Sequence, residues 1–358
     1  MTKKKVVITG GGTGGHVFPA LAIAEELRKR KISVLYVGSA SGMESTFVPQ
    51  KGFPFYTVAS GAIKNQKALK KIGTLIQLIK GVFWALFFLR REKPDLTLGV
   101  GGYVSFPVCF ASFILGIPVY LQEQNASVGI ANRLLGRIAK KIFLGFQQAE
   151  EAFSAHKCIV TGNPLRENFL TTPPLPLPIR PLHLLILGGS QGARAINAAL
   201  MELIPQLLEQ VPDLHVTHQT GKSDWERVEA RYRRCSNPNL GAVPFIDDMV
   251  SAYQKASLVI CRAGALTVSE LIQMGRPAIF VPYPRQGQND QTANARFVET
   301  AGAARVIEQG PHFEERLKLA VESLLKPQIL EQMAQKTSRL RSASGLATIG
   351  SQIEAALR

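Results

Sequence analysis

Acids are scarce in this 358-residue chain. Asp plus Glu number 26 against 42 Lys plus Arg, which leaves a formal net charge of +16. Such an excess suits an anionic partner: nucleic acid, anionic lipid or a phosphorylated substrate. By itself it does not choose among them. Cysteines are also few. Cys109, Cys158, Cys235 and Cys261 lie far apart, with no C-x-x-C pair. That spacing argues against a zinc site or a disulfide framework and fits a reducing cytosol. No D-x-D occurs, and no His, Asp and Glu cluster has metal-ligand spacing, so the expectation is a reaction centre without metal. No apolar segment with a cleavage site opens the chain, because Met1-Thr-Lys-Lys-Lys-Val runs straight into a strand-like stretch. A signal peptide is therefore not expected.

What is present is a strand–helix alternation, written twice. A chain of this length suggests two domains, each large enough for a core. In the first half, 6–9 is a short apolar strand, 10–16 a glycine loop and 19–31 a helix. Further strands are expected near 34–37, 55–58, 96–99, 119–122 and 142–144. Alternation of this kind builds a parallel sheet covered on both faces. Between 163 and 181 six prolines (Pro164, Pro173, Pro174, Pro176, Pro178 and Pro181) exclude regular helix and favour an extended linker. The pattern then restarts: strand 182–187, glycine loop 188–194, helix 195–210. The expected fold class is α/β, with two Rossmann-like parallel-sheet domains facing a cleft and a boundary at 162/163. In such sheets ligands sit outside the carboxyl ends of the strands, where both glycine loops fall.

Five stretches carry candidate chemistry. The run Cys261-Arg-Ala-Gly-Ala-Leu-Thr-Val-Ser-Glu270 follows an apolar strand and turns through Gly264 into a helix ending near Gly275. Its N-terminal N–H groups and helix dipole suit a phosphate. Glu270, turned aside, suits a neutral diol such as a ribose; an ordinary β–α turn with Glu270 helping to cap the helix reads the same. Gly10, Gly12 and Gly15 satisfy G-x-G-x-x-G. A nicotinamide dinucleotide site also wants an acid at the end of the second strand, and the first acid there is Glu44. A diphosphate without that ribose, or tight packing of turn and helix, remains open. His16, at the start of the first helix, is either a general base or a phosphate contact. Ser190 offers a hydroxyl in the second loop. The amide-rich runs 122–125 and 288–291 suit sugar hydroxyls, though solvated loops look alike.

One further segment is apolar without being long enough to span a bilayer. Residues 72–89 are rich in Leu, Ile and Phe, with Ile72, Ile76, Ile79 and Phe83 at helical spacing on one face. A spanning helix needs about 20 apolar residues, and Gln77, Lys80 and two glycines interrupt this one. Lys64, Lys67, Lys70, Lys71, Lys80, Arg90, Arg91 and Lys93 surround it. An apolar face ringed by cations is expected to dock on an anionic membrane surface without crossing it; a buried core helix with a basic rim is the bland alternative.

Taken together the motifs resemble the MurG family of bacterial transferases. The matching pieces are GGGTGGHVFPALA at 10–22, GVGGYVSFP at 99–107, QEQNASVG at 122–129, GNPLR at 162–166, GGSQGAR at 188–194, FIDDM at 245–249, CRAGALTVSE at 261–270 and DQTANA at 290–295. The resemblance implies the GT-B fold, with a C-terminal helix, about 342–358, returning to the first domain, and 163–341 as the donor domain. It implies inverting transfer of N-acetylglucosamine from UDP-N-acetylglucosamine to the lipid-linked muramyl peptide, lipid I, forming lipid II. No cofactor and no active-site metal are implied. The implied place is the cytoplasmic face of the bacterial inner membrane, held peripherally. By position, the donor contacts become Thr13, Gly14, Gly15, Asn125, Arg166, Ser190, Ile246, Ala265, Leu266, Thr267, Val268, Ser269, Glu270 and Gln291. His16 and Glu123 match catalytic or acceptor-side positions, without a choice of base between them. Another UDP-sugar transferase of the same fold is the runner-up. A nicotinamide oxidoreductase lacks its ribose acid, and a nucleic-acid partner is not expected, since no surface of interleaved aromatics and cations is evident.

Overall fold

The computed structural model describes residues 4–59, 68–189, 193–284, 290–342 and 345–358, with the side chains of 68–72, 74 and 75 left undescribed. The chain divides into two compact units, Met1–Arg166 with Ser342–Arg358, and Glu167–Arg341.

Among the described residues the first unit is built on a seven-stranded sheet. Its strands are β1 (Lys5–Thr9), β2 (Ser33–Gly38), β3 (Phe55–Thr57), β4 (Leu96–Gly99), β5 (Val119–Glu123), β6 (Lys141–Leu144) and β7 (Cys158–Val160). The order is β3-β2-β1-β4-β5-β6-β7, with all pairs parallel. Val6, Val7, Ile8, Leu98 and Leu121 are buried, as a sheet covered on both faces requires. One face packs under the Ala68–Glu92 and Ser105–Ile114 helices, through Val7, Leu35, Phe88, Leu89 and Val108. Strand order reverses between β1 and β4, so their carboxyl ends open a crevice at the switch point.

The second unit repeats the plan with β8 (His183–Leu187), β9 (His215–Gln219), β10 (Leu240–Val243), β11 (Leu258–Cys261), β12 (Ala278–Phe280) and β13 (Ala304–Val306). Their order is β10-β9-β8-β11-β12-β13, again parallel. Its switch point lies between β8 and β11. The loops that follow these two strands hold the second glycine run and the Arg262–Gly264 turn.

The Gly345–Ala356 helix packs on the Gly14–Lys29 helix of the first unit. Arg30 Nη1 donates to Glu354 at 2.8 Å and Lys141 Nζ to Gln352 Oε1 at 2.6 Å. Gly345 is a close-approach position: a Cβ there would come within 2.6 Å of the Gly162 carbonyl oxygen.

Two expectations are corrected. The first helix begins at Gly14, not Pro19, and Pro19 lies inside it. Glycines are poor helix formers, by about 1 kcal/mol each relative to Ala, but here they start a helix whose packing overrides propensity. The proline-rich stretch is not wholly extended either, since Glu167–Thr171 forms one helical turn. Pro164 and Pro173 bracket that turn, and Phe169 is buried against the Tyr253 ring. Downstream, Arg276 fastens the prolines. Its guanidinium donates to the carbonyls of Tyr253 (2.7 Å), Leu175 (3.0 Å) and Gln254 (3.1 Å). With only 1% of its surface exposed, burial pulls its pKa down to about 10.

Candidate functional site

The first glycine loop follows β1. Thr13 has extended backbone and stands at the N-cap, and no side chain caps the helix. Gly14 and Gly15 form its first turn, with the Val17 N–H closing onto the Thr13 carbonyl at 3.1 Å. The glycines have two uses. Gly10 and Gly11 make room: a Cβ on Gly10 would meet Val100 at 2.3 Å, and one on Gly11 would meet the Glu44 carboxylate at 2.2 Å. Gly14 and Gly15 leave backbone uncovered at a helix start, the arrangement that suits an anion.

His16 is half-buried in that first turn. Its Nδ1 lies 3.1 Å from the Val100 carbonyl and 2.9 Å from Gln124 Oε1. Both neighbours are acceptors, so Nδ1 carries the proton and Nε2 holds the lone pair of the neutral ring. The orientation of Gln124 is itself fixed. Its Nε2 donates to the Val100 carbonyl at 2.8 Å and to Gln122 Oε1. A flipped amide would set oxygen against oxygen. Asn163 closes the set, donating from Nδ2 to the Gln124 carbonyl at 3.0 Å and accepting from Gln122 Nε2 at 3.3 Å. Gln122, Gln124 and Asn163 are buried. In a run that suits sugar hydroxyls or a solvated loop alike, these amides form an internal hydrogen-bond chain that ends on the His16 ring.

Glu123, between the two glutamines, is buried at the end of β5. Oε1 accepts from the Asn125 N–H (3.0 Å) and Asn125 Nδ2 (3.3 Å). Oε2 accepts from the Gly129 N–H (3.3 Å) and Asn132 Nδ2 (3.0 Å). Four donors converge on one carboxylate, and together they fold the 124–129 loop over it. Asn132 Oδ1 is buried there with no hydrogen-bond partner. Asn125 is half-buried on the same loop, and Arg166 is exposed where the first unit ends.

In the second unit, Gln219 at the end of β9 ties two loops together. Its Oε1 accepts from the Gly189 N–H at 3.0 Å, while Nε2 donates to the Gly189 carbonyl (2.9 Å) and the Pro244 carbonyl (3.3 Å). Gly189 has φ of +75°, a left-handed position that glycine reaches freely. Ile246 is half-buried just past Pro244. Ser190, one of the expected contacts, lies outside the described residues.

The Ala265–Met274 helix starts where the Gly264 spacing predicts, with Gly264 as an N-cap that supplies no side chain. Ala265 and Val268 are buried, whereas Leu266, Thr267, Ser269 and Glu270 are half-buried. Tyr253 Oη donates to Glu270 Oε2 at 3.3 Å, a contact that nothing in the local sequence announces. Arg262 serves the walls rather than the opening: its Nη1 donates to the Val281 carbonyl (3.0 Å) and Gln309 Oε1 (2.7 Å). Burial, and secondarily the Glu270 charge, push the Cys261 thiol well up, so it is not a nucleophile at neutral pH. Gln291 stands in the first turn of the Asp290–Thr300 helix and accepts the Tyr283 N–H at 2.9 Å. Among the described residues, no group of three His, Cys, Asp or Glu could hold a metal ion.

The Ala68–Glu92 helix turns two faces. Ala85, Phe88 and Leu89 are buried. Ile76 and Ile79 are half exposed, and Phe83 and Phe87 are 63% and 77% exposed. Phe87 extends the face that the sequence spacing traces, while the side chain of Ile72 lies outside the described residues. Phe113 and Ile114, also exposed, end the Ser105–Ile114 helix that packs beside it. Among the described residues no helix is long and apolar enough to cross a membrane.

Both halves match models of one enzyme class, the glycosyltransferase family 28 N-terminal domain over residues 6–144 and the C-terminal domain over 183–349. Two parallel-sheet units carrying these two matches make the chain a GT-B glycosyltransferase. A UDP-N-acetylglucosamine–N-acetylmuramyl-(pentapeptide) pyrophosphoryl-undecaprenol N-acetylglucosamine transferase from Syntrophotalea carbinolica is 42% identical over 334 residues, 92% of this chain and 93% of its own. The transferase of that name from Myxococcus xanthus is 39% identical over 343 residues, 94% and 88% of the two chains. The crystal structure of Acinetobacter baumannii MurG superposes with a TM-score of 0.82 at 35% identity, covering 98% of this chain and 99% of that one. The chain belongs to the MurG family.

Proposed function

We propose that this protein transfers N-acetylglucosamine from UDP-N-acetylglucosamine to the muramyl 4-hydroxyl of undecaprenyl-diphospho-muramoylpeptide, lipid I. The observation that carries this reading is the 42% identity to a transferase of that name along 92% of the chain. The two units divide the labour. In the second, the N-terminus of the Ala265–Met274 helix receives the diphosphate, Ile246 the uracil through its backbone, Glu270 the ribose diol, and Gln291 the sugar hydroxyls. Ser190 adds a hydroxyl to the diphosphate. Thr13, Gly14, Gly15, Asn125 and Arg166 are the donor contacts of the first unit.

His16 takes the proton of the attacking hydroxyl. Its Nε2 carries the lone pair because Nδ1 faces two acceptors. Glu123, engaged with four N–H donors, shapes the loop instead. Attack at the anomeric carbon forms one C–O bond as the bond to UDP breaks, inverting the centre. The leaving diphosphate charge is met by N–H groups already aimed at it. Transfer of labelled N-acetylglucosamine to lipid I, set beside other lipid acceptors, tests the assignment. Lipid I is expected to be strongly preferred, and preference for a diacylglycerol or other lipid acceptor would move the protein to a different UDP-sugar reaction.

The acceptor's prenyl tail stays in the bilayer, so the enzyme works at the cytoplasmic face of the cell membrane and docks there. Ile76, Ile79, Phe83 and Phe87 form the apolar face, with exposed Lys80, Arg90, Arg91 and Lys93 on the same helix and just past its end. Each cation near an anionic surface adds about 1 kcal/mol. Co-sedimentation with anionic liposomes is expected to weaken with salt and to fall when Ile76 and Ile79 both become Ser in a folded protein. Equal binding to neutral vesicles would remove this surface from the docking reading.

A further inference from the structure

Glu44 is the one fully buried carboxylate that the reaction as described does not use, among the described residues. It opens the short Glu44–Gln50 helix, and none of its side chain reaches solvent. No cation pairs with it in the described ion pairs. Instead three donors face it. Oε2 accepts from the Gly12 N–H at 2.9 Å. Oε1 accepts from the Ser39 N–H at 2.9 Å and from Ser39 Oγ at 2.8 Å. Three glycines leave room for the group: a Cβ on Gly11, Gly38 or Gly42 would lie within 2.5 Å of a Glu44 side-chain atom. A buried carboxylate is costly unless its lone pairs are met, and here donors from two loops meet them.

We infer that Glu44 is a positioning residue for the first unit's share of the site, the glycine loop and the His16 base that follows it. Its carboxylate occupies the seat at Gly12 where a glycine loop of this spacing would otherwise accept a phosphate oxygen. The loop is thereby split. The Gly12 N–H is bound to the protein's own anion, Gly11 packs against that carboxylate, and Tyr36 Oη donates to the Gly10 carbonyl at 3.0 Å. Burial first, and the Glu44 charge second, push the Tyr36 hydroxyl up, so it stays a donor. Thr13–Gly15 and His16 are then presented at a fixed angle on the far side. The inference rests on the reading of His16 as the base.

Glu44→Gln tests it. With Oε1 kept on the two Ser39 donors, the amide NH₂ faces the Gly12 N–H, donor against donor, and the loop must shift there. The expected result is a kcat about 10- to 100-fold lower, with the dissociation constant for UDP-N-acetylglucosamine rising by a clearly smaller factor, because Thr13, Gly14 and Gly15 are only part of the donor contacts. The Gly12 amide proton resonance should move upfield as it loses its carboxylate partner. Ser39→Ala, which leaves Glu44 and Gly12 in place, is the milder second variant, with a several-fold lower kcat expected. A folded Glu44→Gln protein with wild-type kcat overturns the inference, as does a loss of donor affinity that parallels the loss of kcat. If Glu44→Gln does not fold, a Ser39→Ala protein with wild-type kcat overturns it. Wild-type protein that fails to glycosylate lipid I would instead overturn the functional reading, while the Gly12 resonance still reports on the carboxylate seat.

Discussion

His16→Ala is expected to lower turnover by about 10²–10⁴-fold, the usual worth of a general base, and to leave donor affinity nearly unchanged. The separation follows from where the ring sits. Nδ1 is spent on Val100 and Gln124, so the chemistry falls to Nε2, while the groups assigned to uracil and ribose lie in the second unit. His16→Gln makes a sharper control, because its amide can still hydrogen bond but cannot accept a proton at neutral pH. Single-turnover transfer to lipid I, together with a binding titration of UDP-N-acetylglucosamine, separates the two quantities. If His16→Ala turns over normally, the imidazole is a helix-start or phosphate contact. A parallel collapse of donor binding would place it on the nucleotide instead.

The sequence makes the architecture readable because both halves repeat one local pattern. An apolar run of four or five residues, a glycine turn and an amphipathic helix are each set by neighbours in the chain. Gly264 and Gly275 bracket the Ala265–Met274 helix, and Gly275 takes the left-handed φ of +66° that a helix stop asks for. The start of the first helix is less legible. Two glycines and a proline read as turn, and only packing on the sheet and on the Gly345–Ala356 helix draws Gly14–Lys29 into helix.

The parts of the site that sequence does not display are those made by distant partners. The amides of Gln122 and Gln124 read as sugar-hydroxyl contacts or a solvated loop alike, since nothing nearby predicts that Val100 and Asn163, 24 and 39 residues from Gln124, enclose them. Glu44 is 32 residues from Gly12, and the sequence shows it only as the first acid after the second strand. Tyr253 reaches Glu270 across 17 residues. In each case a polar side chain becomes informative only once its burial is known, because burial removes water as a partner and makes every remaining hydrogen bond count. The G-x-G-x-x-G spacing leaves a diphosphate seat and tight packing both open, and burial shows the packing part: Gly10 and Gly11 are needed for close approach to Val100 and Glu44.

Glu270→Ala is expected to weaken UDP-N-acetylglucosamine binding about 10- to 100-fold, since a hydrogen bond to a charged group is worth about 1.5–3 kcal/mol. The geometry explains why the carboxylate can serve a neutral diol beside a phosphate. The helix begins at Ala265 and its first closed bond is from the Val268 N–H, so the open N–H groups of Ala265 to Thr267 precede Glu270 by three to five residues. Tyr253 Oη holds Oε2 at 3.3 Å, which limits how the carboxylate turns. A ribose presents two hydroxyl donors, and a carboxylate accepts both where an amide accepts from only one oxygen. Glu270→Gln should therefore lie between the wild type and Glu270→Ala. Tyr253→Phe should weaken binding less than either, because it removes the group that orients the carboxylate and leaves the acceptor itself. Calorimetric titration with UDP-N-acetylglucosamine and with UDP alone reads the effect, and both ligands should lose the same factor because they share the ribose. Equal donor affinity in wild type and Glu270→Ala would remove the ribose role. A loss confined to the sugar nucleotide would move Glu270 from the ribose to the transferred sugar.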